Sequence, residues 1–543
     1  MTLLAPQNGR PGPRRVFSTK RSRDQVLGFF RSGSWLAWTV AAVAVAVRLS
    51  CGSHPIDDAY ITFRYAHNLA QGLGLVYNPG ESVLGSSSPL FALLLGGLAT
   101  VFGSEGLPIY ALVINTLSDG LAVLLTFRLA RRLGLPWGWA GVASLLLALA
   151  PMSIRYSIGG MEASLASAAA LAVFDAHLSR RDTLAAFMAG MAVLIRPDSL
   201  ALGALLTISL LLAARRIPWR TSAILAACFF SAAGLLWVFY GTPVPQTVVA
   251  KGAHIYQADP WMNGLQFLYF FGGFLFGPAV GLGAQGIVIV PNIRLTQVMV
   301  LPAVLLGTPW VVGAVQALRR ERRWLALVGQ APLFAVTYTL LGLRGSVMAE
   351  WYFPPLMPAL TLLVVSGLHA GLRRLTPHAY TPGAVTLAAL LVTLQLAGLN
   401  LGRNPDRGFW LPSSVWEERE TLYHQAADFL QPSLDSQTVV AASEIGALGY
   451  YCGCRILDTV GLVSPQALSY YPLNIGELPS LNAVPAQLIH DADPDYLVSL
   501  EIFLRPTVLQ DPWFRHNYHL LWSAETDAFG SNGLLIFGRN RGS

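Results

Sequence analysis

Two adjacent carboxylates, Asp57 and Asp58, stand just after the first long apolar run, in the stretch His54-Pro55-Ile56-Asp57-Asp58-Ala59-Tyr60-Ile61-Thr62-Phe63-Arg64-Tyr65. Further ionisable groups stand at the edges of later apolar runs. Glu162 follows Gly159-Gly160-Met161, Arg196-Pro197-Asp198 breaks a run, and Lys251 and His254 follow another. Arg344 and Glu350-Trp351-Tyr352 lie between two more. Charged groups near hydrocarbon are costly, so they usually face a cavity or a partner. Each also has a plainer use: Arg196 can pair with Asp198, and Trp351 and Tyr352 can be interfacial belt residues. Acids and bases that converge on one membrane face suit the transfer of a sugar from a lipid phosphate. A carboxylate takes the proton of the attacking hydroxyl. The departing phosphate needs its charge stabilised by Arg, Lys or a divalent cation rather than a proton. Asp58, or failing it Asp57, is the candidate base. Lys251, Arg196 and Arg344 are the candidate phosphate partners. Tyr60, Arg64, Glu162, Asp198, His254, Glu350, Trp351 and Tyr352 are candidate substrate-binding residues.

The elements that must position these groups follow from the apolar patterning. Of 543 residues 54% are hydrophobic and 12% charged, half the charged share of an ordinary soluble domain, so much of the surface faces lipid. The net charge of +7 resides mostly in short Arg clusters between apolar runs, which orient a membrane protein rather than bind nucleic acid. The first 33 residues are polar and rich in Arg and Pro, and read as a disordered cytoplasmic tail. Apolar runs then recur up to residue 401. If Arg131/Arg132, Arg180/Arg181, Arg215/Arg216/Arg220, Arg319 to Arg323 and Arg373/Arg374 all face the cytoplasm, two spans separate each cluster from the next. That leaves about eleven transmembrane helices. The runs 88–103 and 261–290 are excluded as spans, with 88–103 laid on the outer membrane surface within an outer loop, 50–106. The N-terminus is then inside and the C-terminus outside. Pro55 and Asp57 suit a helix start, on which Ile61, Tyr65 and Leu69 share one face. Asp57 would cap that helix.

From 402 onward charge becomes frequent, and strands are expected at 438–442, 455–458, 496–499 and 534–537, with a turn or helix over 444–451. This is a mixed α/β domain outside the membrane. The four cysteines form no disulfide framework, and Cys452 and Cys454 are too close in sequence for an ordinary bridge.

Three segments resemble the GT-C glycosyltransferases, most of all the group around the mycobacterial terminal β-arabinofuranosyltransferase. They are Asp57-Asp58-Ala59-Tyr60-Ile61-Thr62-Phe63-Arg64-Tyr65-Ala66 with Gly74 to Glu81 and Ser87-Ser88-Pro89-Leu90; Gly241 to Thr247 with Ala250-Lys251; and Ile445 to Tyr450 with Leu457 to Leu462. The resemblance implies a GT-C fold with surface helices in the first loop. It also implies an inverting enzyme of the plasma membrane that uses a polyprenyl-phosphate sugar, with a first-loop acid as base, here Asp57 or Asp58. The acceptor would be an extracytoplasmic glycan, glycolipid or protein. A divalent cation shared by the acids and the lipid phosphate fits the same chemistry. The chain departs from the group at Gly85-Ser86-Ser87-Ser88-Pro89, where Gly-Tyr-Thr-Asn often precedes the proline. The rival reading is a transporter or lipid flippase with an outer partner-binding domain. It would need charge at mid-membrane, where Asp119 and Asp175 are the main candidates.

Overall fold

The computed structural model describes residues 33–215, 217–252, 260–276, 293–346, 348–375, 380–401, 415–473 and 482–540. The basic tail, His254, the whole of the 277–290 stretch and the 402–414 junction lie outside the described residues.

Each of the eleven expected spans contains helix. Helix α1 (Ser34–Cys51) leads to the first-loop helices α2 (Asp57–Ala70) and α3 (Pro89–Phe102). Next come α4 (Leu107–Arg132), α5 (Trp137–Ala148), α6 (Pro151–Ile158), α7 (Ala163–Leu178), α8 (Asp182–Ala192), α9 (Leu200–Ala214) and α10 (Trp219–Tyr240). The bundle closes with α11 (Gln246–Lys251), α12 (Pro260–Gly273), α13 (Ile293–Arg320), α14 (Leu325–Val328), α15 (Gln330–Leu341), α16 (Met357–Leu375) and α17 (Tyr380–Leu401). Among the described residues four helical segments are long and apolar enough to cross a membrane, at 34–51, 104–132, 219–240 and 350–375. Two bent pairs, α5 with α6 (50°) and α14 with α15 (42°), raise this to six. The protein is thus embedded in a membrane. Pro151 accounts for the first bend, since its ring cannot continue the α5 hydrogen-bond ladder.

The excluded runs are short helices. Helix α3 has 14 residues, about 21 Å against a hydrocarbon core of about 30 Å, and Leu93, Leu94, Val101 and Phe102 are exposed. Helix α12 also has 14 residues, but Phe270 and Phe271 are buried in the main bundle core, so it is inserted between α13 and α15 rather than laid on a surface. Helix α8, expected as a span, has 11 residues, too few for a full crossing by itself.

The C-terminal part is a small α/β domain. It begins with α18 (Val415–Leu430), followed by β1 (Val439–Ala442), α19 (Gly446–Cys452), β2 (Arg455–Asp458), α20 (Ala486–Ala492) and β3 (Tyr496–Leu500). It ends with α21 (Glu501–Leu504), α22 (Pro512–Asn517), β4 (Tyr518–Ala524) and β5 (Leu534–Arg539). The sheet order is β2-β1-β3-β5-β4, with β1 parallel to β2 and β3, and β5 antiparallel to β3 and β4. The edge strand β4 was not expected from the sequence.

One face of the sheet has its own core, built on Leu457, Leu488, Leu497 and Phe514. The other shares a continuous core with the first loop, where Phe63, Phe91 and Leu95 join Leu448, Ile456, Val498 and Ile536. Cys452 and Cys454 are disulfide-bonded, contrary to the sequence expectation. Gly453 adopts a left-handed conformation (φ +63°) that ends α19 and folds the chain back, so the two Cα atoms come within 5.2 Å.

Candidate active site

Most first-loop motif residues dock the C-terminal domain. Arg64, 4% exposed, donates to the carbonyls of Tyr77 (2.8 Å), Cys454 (2.5 Å) and Gly449, and its guanidinium lies over the Tyr77 ring at 4.5 Å. Tyr77 Oη donates to Ile445 O (2.6 Å). Asn78 extends the β2 ladder: its Nδ2 donates to Ile456 O (2.9 Å), and its Oδ1 accepts from Ile456 N (3.1 Å). Glu81 pairs with Arg455 at 2.6 Å. Tyr60 is buried, with its hydroxyl 3.1 Å from that of Tyr451. Tyr60 and Arg64, expected to bind substrate, are therefore committed to the interface between loop and domain.

The motif glycines are explained by the same docking. A Cβ on Gly446 would lie 1.9 Å from Asp57 O, and one on Gly449 would lie 1.9 Å from Tyr77 Oη. Only bare backbone lets α19 approach α2 so closely.

Asp57 does not cap its own helix. It occupies the first helical position of α2, behind Ile56, and its Oδ1 accepts the Ala447 N–H (3.0 Å), capping α19 across the interface. Behind it lies a buried cluster that the sequence reading missed. Arg419 pairs with Glu420 (2.6 Å) and with Glu444. Burial pushes the Asp57 carboxyl up, against the pull of Arg419 and of the Ala447 N–H. Burial likewise raises Glu444 to about 7, with Arg419 opposing. Asp58 differs in every respect. It is half-buried, and no described residue hydrogen-bonds to it. It lies roughly 100° further round the helix than Asp57.

The N-terminal end of α2 is tied to the bundle. His54 N donates to Ile158 O (3.0 Å) and Ile56 N to Gly159 O (3.1 Å). Gly160, at φ +76°, leaves no room for a side chain between Phe63, Ala59 and Pro55. The next residue but one is Glu162, buried and bonded to Ser88 and Arg196. Arg196, 4% exposed, forks onto Asp198 (Nε–Oδ1 3.1 Å, Nη2–Oδ2 3.0 Å), reaches Glu162 (3.1 Å), and donates to Trp351 O (3.3 Å). Its guanidinium and the Lys251 ammonium lie 5.3 and 5.2 Å from the centre of the Tyr352 ring, and Lys251 Nζ donates to Tyr352 Oη (2.7 Å). Burial pushes the Glu162 carboxyl up while Arg196 pulls it down.

Glu162, Arg196, Asp198, Lys251, Trp351 and Tyr352 thus form one connected cluster beside the start of α2. Glu350 faces Arg155 (3.7 Å), a half-buried cation absent from the sequence candidates because apolar residues surround it in sequence. Arg344 is exposed and contacts none of this cluster. The first loop and the C-terminal domain wall one side: Gln246 N donates to Leu84 O (2.7 Å) of the loop, its Nε2 donates to Gly461 O (3.0 Å), and Ala250 packs on Val460. Buried Asp458 holds that wall by accepting from Val460 N (2.9 Å) and Val463 N (2.8 Å).

Neither acid expected at mid-membrane is left open for transport, and Asp175 lies at the arginine-rich end of the bundle. Asp119 pairs with Arg48 (2.5 Å), and Asp175 pairs with Arg128 (2.9 Å) and Arg132 (3.3 Å). Among the described residues no three His, Cys, Asp or Glu side chains converge as a metal ligand set.

Comparison with known proteins agrees with the first-loop resemblance. Residues 413–537 match a domain of unknown function (DUF8728). The chain is 31% identical over 264 residues to the terminal beta-(1->2)-arabinofuranosyltransferase of Mycobacterium tuberculosis, covering 43% of this chain and 40% of that protein. It is 28% identical over 304 residues to the enzyme of the same description from Corynebacterium glutamicum, covering 50% and 41%. The chain thus spans about two fifths of the length of these curated relatives. Among solved structures, ArnT from Cupriavidus metallidurans bound to undecaprenyl phosphate aligns over 95% of this chain and 98% of that one, with 14% identity and a TM-score of 0.47.

Proposed function

We propose that this protein is an inverting glycosyltransferase that moves one monosaccharide from a polyprenyl phosphate to an acceptor on the extracytoplasmic side. One observation carries the reading. Of the acidic residues in the first-loop motif, Asp57 and Glu81 are spent on docking the C-terminal domain, and Asp58 is left half-buried without a hydrogen bond from any described residue, on a helix start that packs against Gly160, two residues before Glu162. The acceptor hydroxyl attacks the anomeric carbon as Asp58 takes its proton. The bond from that carbon to the phosphate oxygen breaks, and its electron pair leaves with the lipid phosphate. Lys251 and Arg196 supply the positive charge that faces the phosphate, with Arg196 fixed in place by Asp198 and Glu162. No step is routed through a metal ion.

Two things support the placement. The Arg-rich turns lie at the bundle end opposite this cluster, as they would if that end were cytoplasmic. The Cys452–Cys454 disulfide suits an oxidising compartment, which supports an extracytoplasmic position for residues 402–543. The full set of about eleven crossings, residues 34–401 as the catalytic bundle, belongs to the same reading. The names of the relatives make arabinofuranose the first sugar to try, with an envelope glycan as acceptor. The test is to incubate the purified protein with a panel of polyprenyl-phosphate monosaccharides and an arabinan oligosaccharide. Transfer from one donor with an inverted product is expected; no consumption of any donor over the whole panel counts against the reading.

A further inference from the structure

At the opposite end of the bundle lies a second polar cavity that the proposed chemistry does not use. Helix α16 starts beside the site, where Ser167 Oγ donates to Pro354 O (3.3 Å), and runs 19 residues, about 28 Å, before it ends. Its last turns, Gln316 of α13 and the α4–α5 turn enclose a cavity of about 380 Å³. Ser366 Oγ donates to Gln316 Oε1 (3.2 Å), and the His369 ring stands edge-on to Trp139 with centroids 5.5 Å apart. Arg373 and Arg374 form the exposed rim. Two more cations border the turn: Arg131 Nη1 donates to Leu135 O (2.6 Å) and Arg320 Nη1 to Leu133 O (3.4 Å). The turn is bare at Gly134, where a Cβ would meet Arg320 at 2.6 Å.

Charge is what sets this cavity apart. Several other arginines at the same end have acids: Arg128 and Arg132 share Asp175, Arg180 has Glu321, and Arg323 has Asp182. Among the described residues Arg131, Arg320, Arg373 and Arg374 have no carboxylate partner, and no acid lines the cavity. Two guanidinium groups on the rim of a polar hollow, with two more on the turn beside it, at the depth where the last turn of a membrane helix meets water, suit the charge of a phosphate diester. We propose that this cavity binds the phosphate-bearing headgroup of an anionic phospholipid. Arg373 and Arg374 would contact the phosphate, and Gln316 and Ser366 the hydroxyls of the headgroup. Basic pockets at the water boundary between membrane helices are suited to this.

The experiment follows thermal unfolding of the full chain in detergent. Short-chain phosphatidylglycerol, the matching phosphatidylcholine and glycerol 3-phosphate are each titrated. Arg373→Gln/Arg374→Gln is compared with Arg373→Lys/Arg374→Lys, which keeps the charge, and with Arg215→Gln/Arg220→Gln, which removes two exposed cations elsewhere. Phosphatidylglycerol is expected to stabilise the wild type, with a half-saturating concentration about tenfold or more higher in the double glutamine variant and little changed in the other two. Equal stabilisation by glycerol 3-phosphate would support the same phosphate site and assign its occupant to a soluble phosphoester. Equal stabilisation by phosphatidylcholine, or an equal loss in the Arg215/Arg220 variant, would overturn the proposal.

Discussion

Arg64 is held as an anchor between loop and domain, and Arg64→Lys tests that directly. The guanidinium satisfies three carbonyls in three directions, those of Tyr77, Gly449 and Cys454, and stacks on Tyr77. A lysine ammonium on a flexible stem has no fork, and it leaves at least one of these buried carbonyls unpaired. An orphaned buried acceptor costs about 1–3 kcal/mol. Loss of the desolvated stack on Tyr77 adds about 1–2 kcal/mol. The sum, about 2–5 kcal/mol, should lower the unfolding midpoint of the C-terminal part by at least about 4 °C. It should also speed proteolytic release of residues beyond α18. The assay is differential scanning fluorimetry with limited proteolysis, alongside donor kinetics on the protein that remains folded. An unchanged midpoint with a raised donor KM would refute the reasoning and return Arg64 to the substrate site.

Glu444 gives a pH signature. Its folded pKa, about 7, is above the ordinary glutamate value of 4.5, so its contribution to stability is complete below about pH 4.5 and is lost as pH rises through 7. Acidification from pH 8 to pH 5.5 should therefore stabilise the protein by about 2 kcal/mol, and Glu444→Gln should flatten that dependence. A wild-type stability that drops on this acidification would contradict the burial of the Glu444 carboxyl. Gly446→Ala places a methyl against the Asp57 carbonyl and should cost at least about 1–3 kcal/mol; an unshifted midpoint would mean that α19 is not docked on α2. Lys251→Met removes a proposed phosphate partner and should raise the donor KM, lower kcat, or both, with unchanged stability. Kinetics equal to wild type would remove Lys251 from the donor site.

The membrane bundle was legible because lipid forces long apolar runs on the sequence, and each expected span contains helix. The depth of individual helices was not legible. Helix α8 stops at Ala192 and α12 is buried between neighbours, and neither fact is local to its own residues. Four of the five strands were readable as β-branched runs. The fifth, Tyr518-His519-Leu520-Leu521-Trp522, is an edge strand whose apolar residues do not alternate, since Leu520 and Leu521 are both exposed. The first-loop motif drew attention for chemistry, yet most of its polar groups bond to partners more than 360 residues away. Examples are Arg64 with Gly449 and Tyr77 with Ile445, and no spacing in the loop announces them. The Arg419–Glu420–Glu444 cluster escaped notice for the same reason. The Cys452–Cys454 bridge depended on the backbone turn at Gly453.

The central claim is that Asp58 is the base of a sugar transfer, and the most direct measurement is donor turnover by Asp58→Asn beside Asp57→Asn, each checked for an intact unfolding midpoint. General-base catalysis is worth about 10²–10⁴-fold, so Asp58→Asn should lose about that much kcat without loss of stability. Asp57→Asn should lose stability at the α19 contact and retain most of its turnover. Near-wild-type turnover in Asp58→Asn would contradict the assignment, whatever Asp57→Asn does.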